Sequence, residues 1–160
     1  MVEDATLAAA AALLVTVSFP LYLKGAWIII DAETVTWGVL THHLKYIVTG
    51  LVLNTAVVLV WMVPRLATQL GGAAALHAVL GLQAYAMLAF ALTGIVRIFR
   101  IKRREELYRD PEPGVSLSEL HPEMDHWRKR LRIGVAGYVL FWILAWVVGM
   151  ARFLIKYGYV

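Results

Sequence analysis

Four apolar stretches, each long enough to cross a bilayer as helix and each bounded by charge, constrain this chain more than any motif it carries. A hydrocarbon core about 30 Å thick needs on the order of 20 apolar residues in helical form. The first stretch runs from about Ala5 to Leu23 and continues past Lys24 to Ile30 if that lysine stem snorkels toward the headgroups. The second is Tyr46 to Val63, closed by Pro64 and Arg65. The third, Leu70 to Val96, holds no charge and stops at Arg97, and the fourth, Ile133 to Ala151, lies between Arg132 and Arg152. The sequence therefore predicts an all-α fold: an integral membrane four-helix bundle, a single domain over residues 1–160, with spans at about 5–30, 46–63, 70–96 and 133–151. The short connection through Pro64, Gly71 and Gly72 predicts that spans two and three are antiparallel neighbours.

Composition agrees. The chain is 61% hydrophobic and 16% charged, whereas soluble domains average roughly 45–50% apolar and about 25% charged. That is too little charge to cover a water-facing surface, which excludes a soluble globular enzyme. The absence of cysteine removes disulfides, thiolate zinc sites, iron–sulfur clusters, a thiol nucleophile and covalently attached haem.

Lysine and arginine set the orientation. Ten of the fifteen lie between Arg97 and Arg132, two more in the Lys24–Lys45 connection on the same side, and three (Arg65, Arg152, Lys156) on the other. The expectation is a multi-pass protein of the cell (plasma) membrane with both termini external and loop 97–132 cytoplasmic. Glu3 and Asp4 fit an external amino terminus and argue against a cleaved signal peptide, which needs a positive region ahead of its apolar stretch. The loop also holds seven acids, so its net charge is ten minus seven, +3, out of +4 for the whole chain. Such a balance is a topology signal on a solvated surface and excludes a nucleic-acid partner. Within the loop, Ile98–Tyr108 and Met124–Leu131 read as helical extensions of spans three and four, Asp110 to Gly114 as a turn, and Ser116–Leu120 as a short amphipathic turn.

Helical periodicity sorts the few polar residues in the spans. At 100° per residue from His43, Gly50 falls at about −20°, Asn54 at about +20° and Trp61 near 0°. This stripe is expected to face the bundle interior or a partner subunit, because an amide in hydrocarbon needs a hydrogen-bond partner. From His77, Gly81 falls at about +40°, Ala84 at about −20° and Ala91 at about −40°. Small residues beside a histidine have two readings: they let backbones approach, or they leave room for a flat cofactor beside its ligand; helix packing is the expected role of Gly50, Asn54, Gly81, Ala84, Gly134, Gly137 and Gly149. Span four offers Gly134, Gly137, Ala145 and Gly149 along one side. Its ladder of Tyr138, Trp142 and Trp146 reads as a lipid-facing or intersubunit surface.

Apolar helices carrying histidines raise a b-type haem clamped by two imidazoles. His43 and His126 belong to the loop side, while His77 lies about 10 Å inside span three from the opposite end, so one haem cannot use His43 and His77 together. A His43/His126 site would be interfacial, because His126 lies about 10 Å before the apolar part of span four. His77 would need Met62 or Met150 as thioether partner for haem b or copper. His121 is expected to be solvent-exposed. No acid lies inside a span, so a carboxylate-based ion relay is not indicated. The chain also lacks a phosphate-binding glycine loop, a metalloprotease motif and the broken-helix signature of a transporter.

The runs Asp31-Ala32-Glu33-Thr34-Val35-Thr36-Trp37, His43-Leu44-Lys45-Tyr46-Ile47, Leu76-His77-Ala78, Leu92-Thr93-Gly94-Ile95-Val96-Arg97 and Leu107-Tyr108-Arg109-Asp110-Pro111 resemble a family of small four-helix membrane proteins of haloarchaea encoded beside cytochrome bc complex genes. The resemblance spans nearly the whole chain through general motifs. It departs at one point: loops adapted to high salt are usually acidic, and this long loop is net basic. A looser likeness, a histidine near the start of successive helices, is to four-helix proteins linked to haem-copper oxidase assembly. Either resemblance implies a place in respiratory electron transfer. The expected function is a non-catalytic accessory subunit of a membrane respiratory complex of the cytochrome bc type. Its partners would be other integral membrane subunits and the lipid bilayer, with quinone at the periphery. The alternatives are a redox protein holding haem b or copper on His43, His77 or His126, and an oxidase assembly factor.

Overall fold

The computed structural model describes residues 2–66, 68, 71–110 and 117–159, with only the backbone described for residues 2, 3 and 117. The described residues are mostly helical, with no strand among them. Its elements are α1 (Val2–Ile30), α2 (Trp37–Val57), a π-helical turn (Val58–Met62), α3 (Val63–Leu66), α4 (Ala73–Arg104), α5 (Leu117–Leu120) and α6 (Met124–Lys156). Four continuous stretches are long and apolar enough to cross a membrane: Asp4–Ile30, Trp37–Leu66, Ala73–Arg104 and Met124–Lys156. A helix of about 32 residues is about 48 Å long, so α4 and α6 outrun the hydrocarbon core and carry the basic residues into the headgroup and water layers. The turn expected after Asp110 and the start of span three at Leu70 lie outside the described residues, whereas Leu117–Leu120 forms the expected short helical turn.

Two local features lengthen the spans beyond their apolar cores. α1 runs to Ile30 and α2 begins at Trp37, so the 24–45 connection narrows to a few residues. There the Thr36 hydroxyl caps α2 by accepting from the Val39 amide at 3.3 Å. The helices zip past Lys24 and Lys45 because Gly25 leaves room for Ile47 and because His43 Nδ1 donates to the Gly25 carbonyl at 2.8 Å. At the other end of α2, Pro64 does not stop the helix. Proline has no N–H, and its ring clashes with the carbonyl four residues back, here that of Val60. The π-helical turn, in which the Val63 amide bonds to the Val58 carbonyl, opens the ladder at that point and the helix continues to Leu66.

The helices pack as two hairpins: α1 closes on α2, and α4 closes on α6. Backbone proximity is thus greatest within these pairs, and the tight connection between α3 and α4 does not make α2 and α4 close-packed neighbours. In the α4/α6 pair, a Cβ at Gly134 would stand 2.6 Å from the Ala91 backbone, and one at Gly94 2.5 Å from the Trp127 carbonyl. A Cβ at Gly137 would collide with the flexible Met87 side chain. In the α1/α2 pair, a Cβ at Gly50 would stand 2.8 Å from the Tyr22 ring, which the glycine leaves room for. The stripe of Gly50, Asn54 and Val57 is buried and faces the bundle interior.

The hairpins meet through aromatic residues. Trp142 stacks on Phe19 with ring centres 5.4 Å apart, and Tyr22 meets the edges of Tyr138 and Trp142 at 6.0 Å. The ladder on α6 is therefore core, not lipid-facing surface: Tyr138 and Trp142 are buried and Trp146 packs against them. Glycine and alanine draw α6 onto α4, and the adjacent face of α6 must then fill the wider gap toward α1, which takes rings. Outward positions such as Leu13, Val60, Val79 and Leu140 are exposed, as lipid contact requires. At the loop end, Trp37, Phe99 and Tyr108 cluster, and the Trp37 amide donates to the Tyr108 carbonyl at 2.8 Å. Burial raises the Tyr108 phenol above its ordinary pKa, so it stays neutral there.

Candidate functional site

Where the π-helical turn and α3 stand apart from α4, the half of the bundle nearest the termini holds a cavity of about 330 Å³, lined by those elements together with α1 and α6. Its inner end is closed by a polar bridge. The Asn54 amide, 4% exposed, donates to the Tyr85 hydroxyl at 3.4 Å, and Thr55 shares a 2.9 Å hydrogen bond with the same oxygen. The walls are apolar, with Ala8, Ala11 and Val15 buried on α1 and Trp61 and Met62 from the π-helical turn. Trp146 completes the wall and donates its indole N–H to Thr16 at 3.1 Å. The side toward lipid is open, since Leu82, at 71% exposed, and Val63 also line the cavity.

The outer end is ionic. Arg65 lies over the Trp61 ring, 3.4 Å from its centre, and pairs with Asp4 at 3.2 Å. Lys156 reaches the same carboxylate at 3.5 Å, and the Tyr157 hydroxyl donates to it at 2.9 Å. Burial and this bond to Asp4 raise the Tyr157 phenol above its ordinary pKa, which keeps the hydroxyl a donor. One carboxylate from the start of α1 thus ties together the ends of α3 and α6, and both termini lie at this end of the bundle.

His77 sits four residues into α4, about 6 Å from the helix start, and lines the cavity. Arg152 Nη1 lies 3.3 Å from His77 Nδ1. Arginine only donates, so Nδ1 accepts and Nε2 carries the proton. Nε2 in turn abuts Gly149, 2.9 Å from where a Cβ there would sit. Met62 and Met150 line the same cavity, so the thioether partners weighed for His77 are brought to it. In this tautomer, however, the imidazole has no free lone pair for haem or copper. The remaining histidines lie elsewhere. His43 is spent on Gly25, and His126, exposed at the start of α6, accepts from Arg130 Nε at 3.0 Å, so the expected His43/His126 pair is engaged with separate partners. His121 is half-buried against Trp127 at 4.5 Å between ring centres, where exposure was expected. No cluster of three or more histidine or acidic side chains suited to a metal occurs among the described residues.

The small residues divide between the two readings open to them. Ala84, Ala91, Gly134, Gly137 and Gly149 pack. Gly81 does not: a Cβ there would meet nothing within 4 Å, and it faces the cavity. Sequence reasoning missed Tyr85, Asp4 and Gly94. The signal for Tyr85 was the Asn54 amide itself, which required a partner at its own depth.

Four membrane-length helices packed as two hairpins, with a cavity open toward lipid at the terminus end, define a small multi-pass membrane protein. The chain belongs to the family described as Domain of unknown function (DUF7321), whose model matches residues 4–158. Neither the curated proteins nor the solved structures contain a match to it.

Proposed function

We propose that this protein is a non-catalytic accessory subunit of a membrane respiratory electron-transfer complex, of the cytochrome bc type that the sequence resemblance implies. It lies in the plasma membrane with both termini external and loop 97–132 in the cytoplasm. The observation that carries this reading is that the polar groups inside the spans hold the protein's own helices together. His43 bonds to Gly25, Asn54 to Tyr85 and His77 to Arg152. The long apolar outer faces are then what the protein offers to larger subunits, by the close van der Waals packing that associates helices in lipid.

The test is recovery of the tagged full-length chain from native membranes in mild detergent, read by reduced-minus-oxidised spectroscopy. The reading expects a b-type haem band in the native assembly and no band in the chain purified alone. A Soret band that shifts on reduction of the isolated chain, and is lost in His77→Ala or His43→Ala, would replace it with the redox-protein reading. The His77/Met62/Met150 grouping is the one observation favouring that alternative.

A further inference from the structure

Once the hydrogen bonds around the cavity are counted, two donors remain. At the inner end Asn54 donates to the Tyr85 hydroxyl, and Tyr85 and Thr55 share one hydrogen bond. Two hydroxyl protons serve that single bond, so one of them is left over. It is not turned back on its own helix. Thr16 and Thr49 donate to the carbonyl four residues before them, whereas Thr55 meets Tyr85, and Tyr85 lines the cavity. Nearer the outer end, His77 accepts from Arg152 at Nδ1, and its Nε2–H has no acceptor among the described residues. His77 and Tyr85 stand eight positions apart on α4, about 12 Å at 1.5 Å per residue, and side chains on one helix lean in the same direction. The walls between them are apolar and carry the indoles of Trp61 and Trp146, and the side at Val63 and Leu82 is open toward lipid.

We infer that this cavity seats one lipid-soluble quinone, its flat ring against the aromatic walls, one carbonyl accepting from the Tyr85–Thr55 pair and the opposite carbonyl from His77 Nε2–H. Two separated donors select a rigid ligand with an acceptor on each of two opposite edges. In a para-quinone the carbonyl oxygens lie about 5 Å apart. A hydrogen bond of about 2.8 Å at each end brings the reach to about 11 Å, against about 12 Å between the donor-bearing residues along α4. An acyl chain would leave both donors unanswered in apolar surroundings, which is unfavourable. An alcohol brings one oxygen for two donors, and a water-soluble acceptor would gain nothing from apolar walls. The volume of about 330 Å³ falls within the range of small-molecule pockets, about 300–1,000 Å³, and the tail leaves through the side open to lipid. Gly81 lies between the donors on α4, where a Cβ would meet nothing within 4 Å, and so leaves the ring its width. The site is built by this chain alone and does not depend on the accessory-subunit reading.

The experiment titrates decylubiquinone into the purified full-length chain in detergent and follows tryptophan fluorescence, with decylbenzene as the competitor that has a ring and tail but no carbonyl. Saturable quenching at one quinone per chain is expected, and decylbenzene should not reverse it. Tyr85→Phe and His77→Phe should each weaken binding about fivefold, the worth of one hydrogen bond. Gly81→Leu should abolish binding while the unfolding temperature holds or rises. Infrared difference spectra of quinone isotope-labelled at either carbonyl should show both stretches lowered in the bound state. Quenching that never saturates, reversal by decylbenzene, or carbonyl bands that stay where they lie in detergent alone overturns the inference. So does unchanged affinity in both Tyr85→Phe and His77→Phe, or undiminished binding in Gly81→Leu. Should His77→Phe fail to fold, the infrared bands of the unsubstituted chain and the Gly81→Leu titration still decide the matter. A chain that binds quinone by itself but recovers no b-type cytochrome from native membranes keeps this site and overturns the accessory-subunit reading alone.

Discussion

Toward the loop end of the bundle, α4 and α6 approach until backbone meets backbone, at Ala91 against Gly134 and at Gly94 against the Trp127 carbonyl. Toward the terminus end the bundle spreads around a cavity, and Gly81 of the same helix α4 faces empty space. Both ends carry small residues on helical faces, so residue size alone does not produce close packing. Ala91 and Gly134 meet because α6 supplies an equally small surface opposite them. Opposite Gly81 stand the large side chains of the π-helical turn, Trp61 and Met62, and these hold the facing helix away. Pro64 contributes to the same effect, since the opened turn that accommodates it puts those residues at the cavity wall.

This contrast can be broken most forcefully at Gly134. Gly134→Leu forces a branched side chain into the Ala91 backbone, and overpacking of this kind costs about 3 kcal/mol or more. Denaturant titration in detergent micelles should show a large loss of stability, and an unchanged midpoint would mean that α4 and α6 are not in contact there. A smaller effect is expected at the bridge closing the cavity. Tyr85→Phe leaves the Asn54 amide and the Thr55 hydroxyl without their shared partner, for a loss of about 1 kcal/mol on the scale of hydrogen bonds between membrane helices. The amide resonances of Asn54 and Thr55 should move while those of Gly134 stay in place. The smallest effect has the opposite sign. Gly81→Ala meets no steric opposition and removes a helix-interior glycine, so stability should rise by up to about 1 kcal/mol. A fall would place Gly81 in a packed interface like that of Gly134.

Much of the fold was legible in the sequence, and the reason is visible in particular residues. Arg97 and Arg132 mark where α4 and α6 leave the apolar layer, whereas α2 begins at Trp37 under the Thr36 cap, ahead of the expected start at Tyr46, because the cap and the packing on α1 extend the helix beyond its apolar run. The stripe from His43 through Gly50 to Asn54 faces inward as periodicity predicts, because a buried amide and a glycine have nowhere else to go in lipid. The site was less legible. His77 reads as a candidate ligand until its partner Arg152, seventy-five residues away, is found on its Nδ1. The Tyr138–Trp142–Trp146 ladder reads as surface until Phe19 and Tyr22 are found against it. Each of these assignments rests on a residue from another helix, and nothing in the local sequence names that helix.

By itself the sequence determined that the chain is four membrane-length helices with a charged connection between the last two. In hydrocarbon every backbone N–H and C=O must be satisfied within its own segment, so a long apolar run admits one secondary structure and its flanking charges mark its ends. Only the tertiary structure decided that the helices pair as α1 with α2 and α4 with α6, that Gly134 packs where Gly81 does not, and that Arg65 and Lys156 meet on Asp4 at the mouth of a cavity. Between helices already surrounded by lipid no hydrophobic preference selects a partner. The choice falls to shape and to a few hydrogen bonds, and those exist only once two surfaces have met.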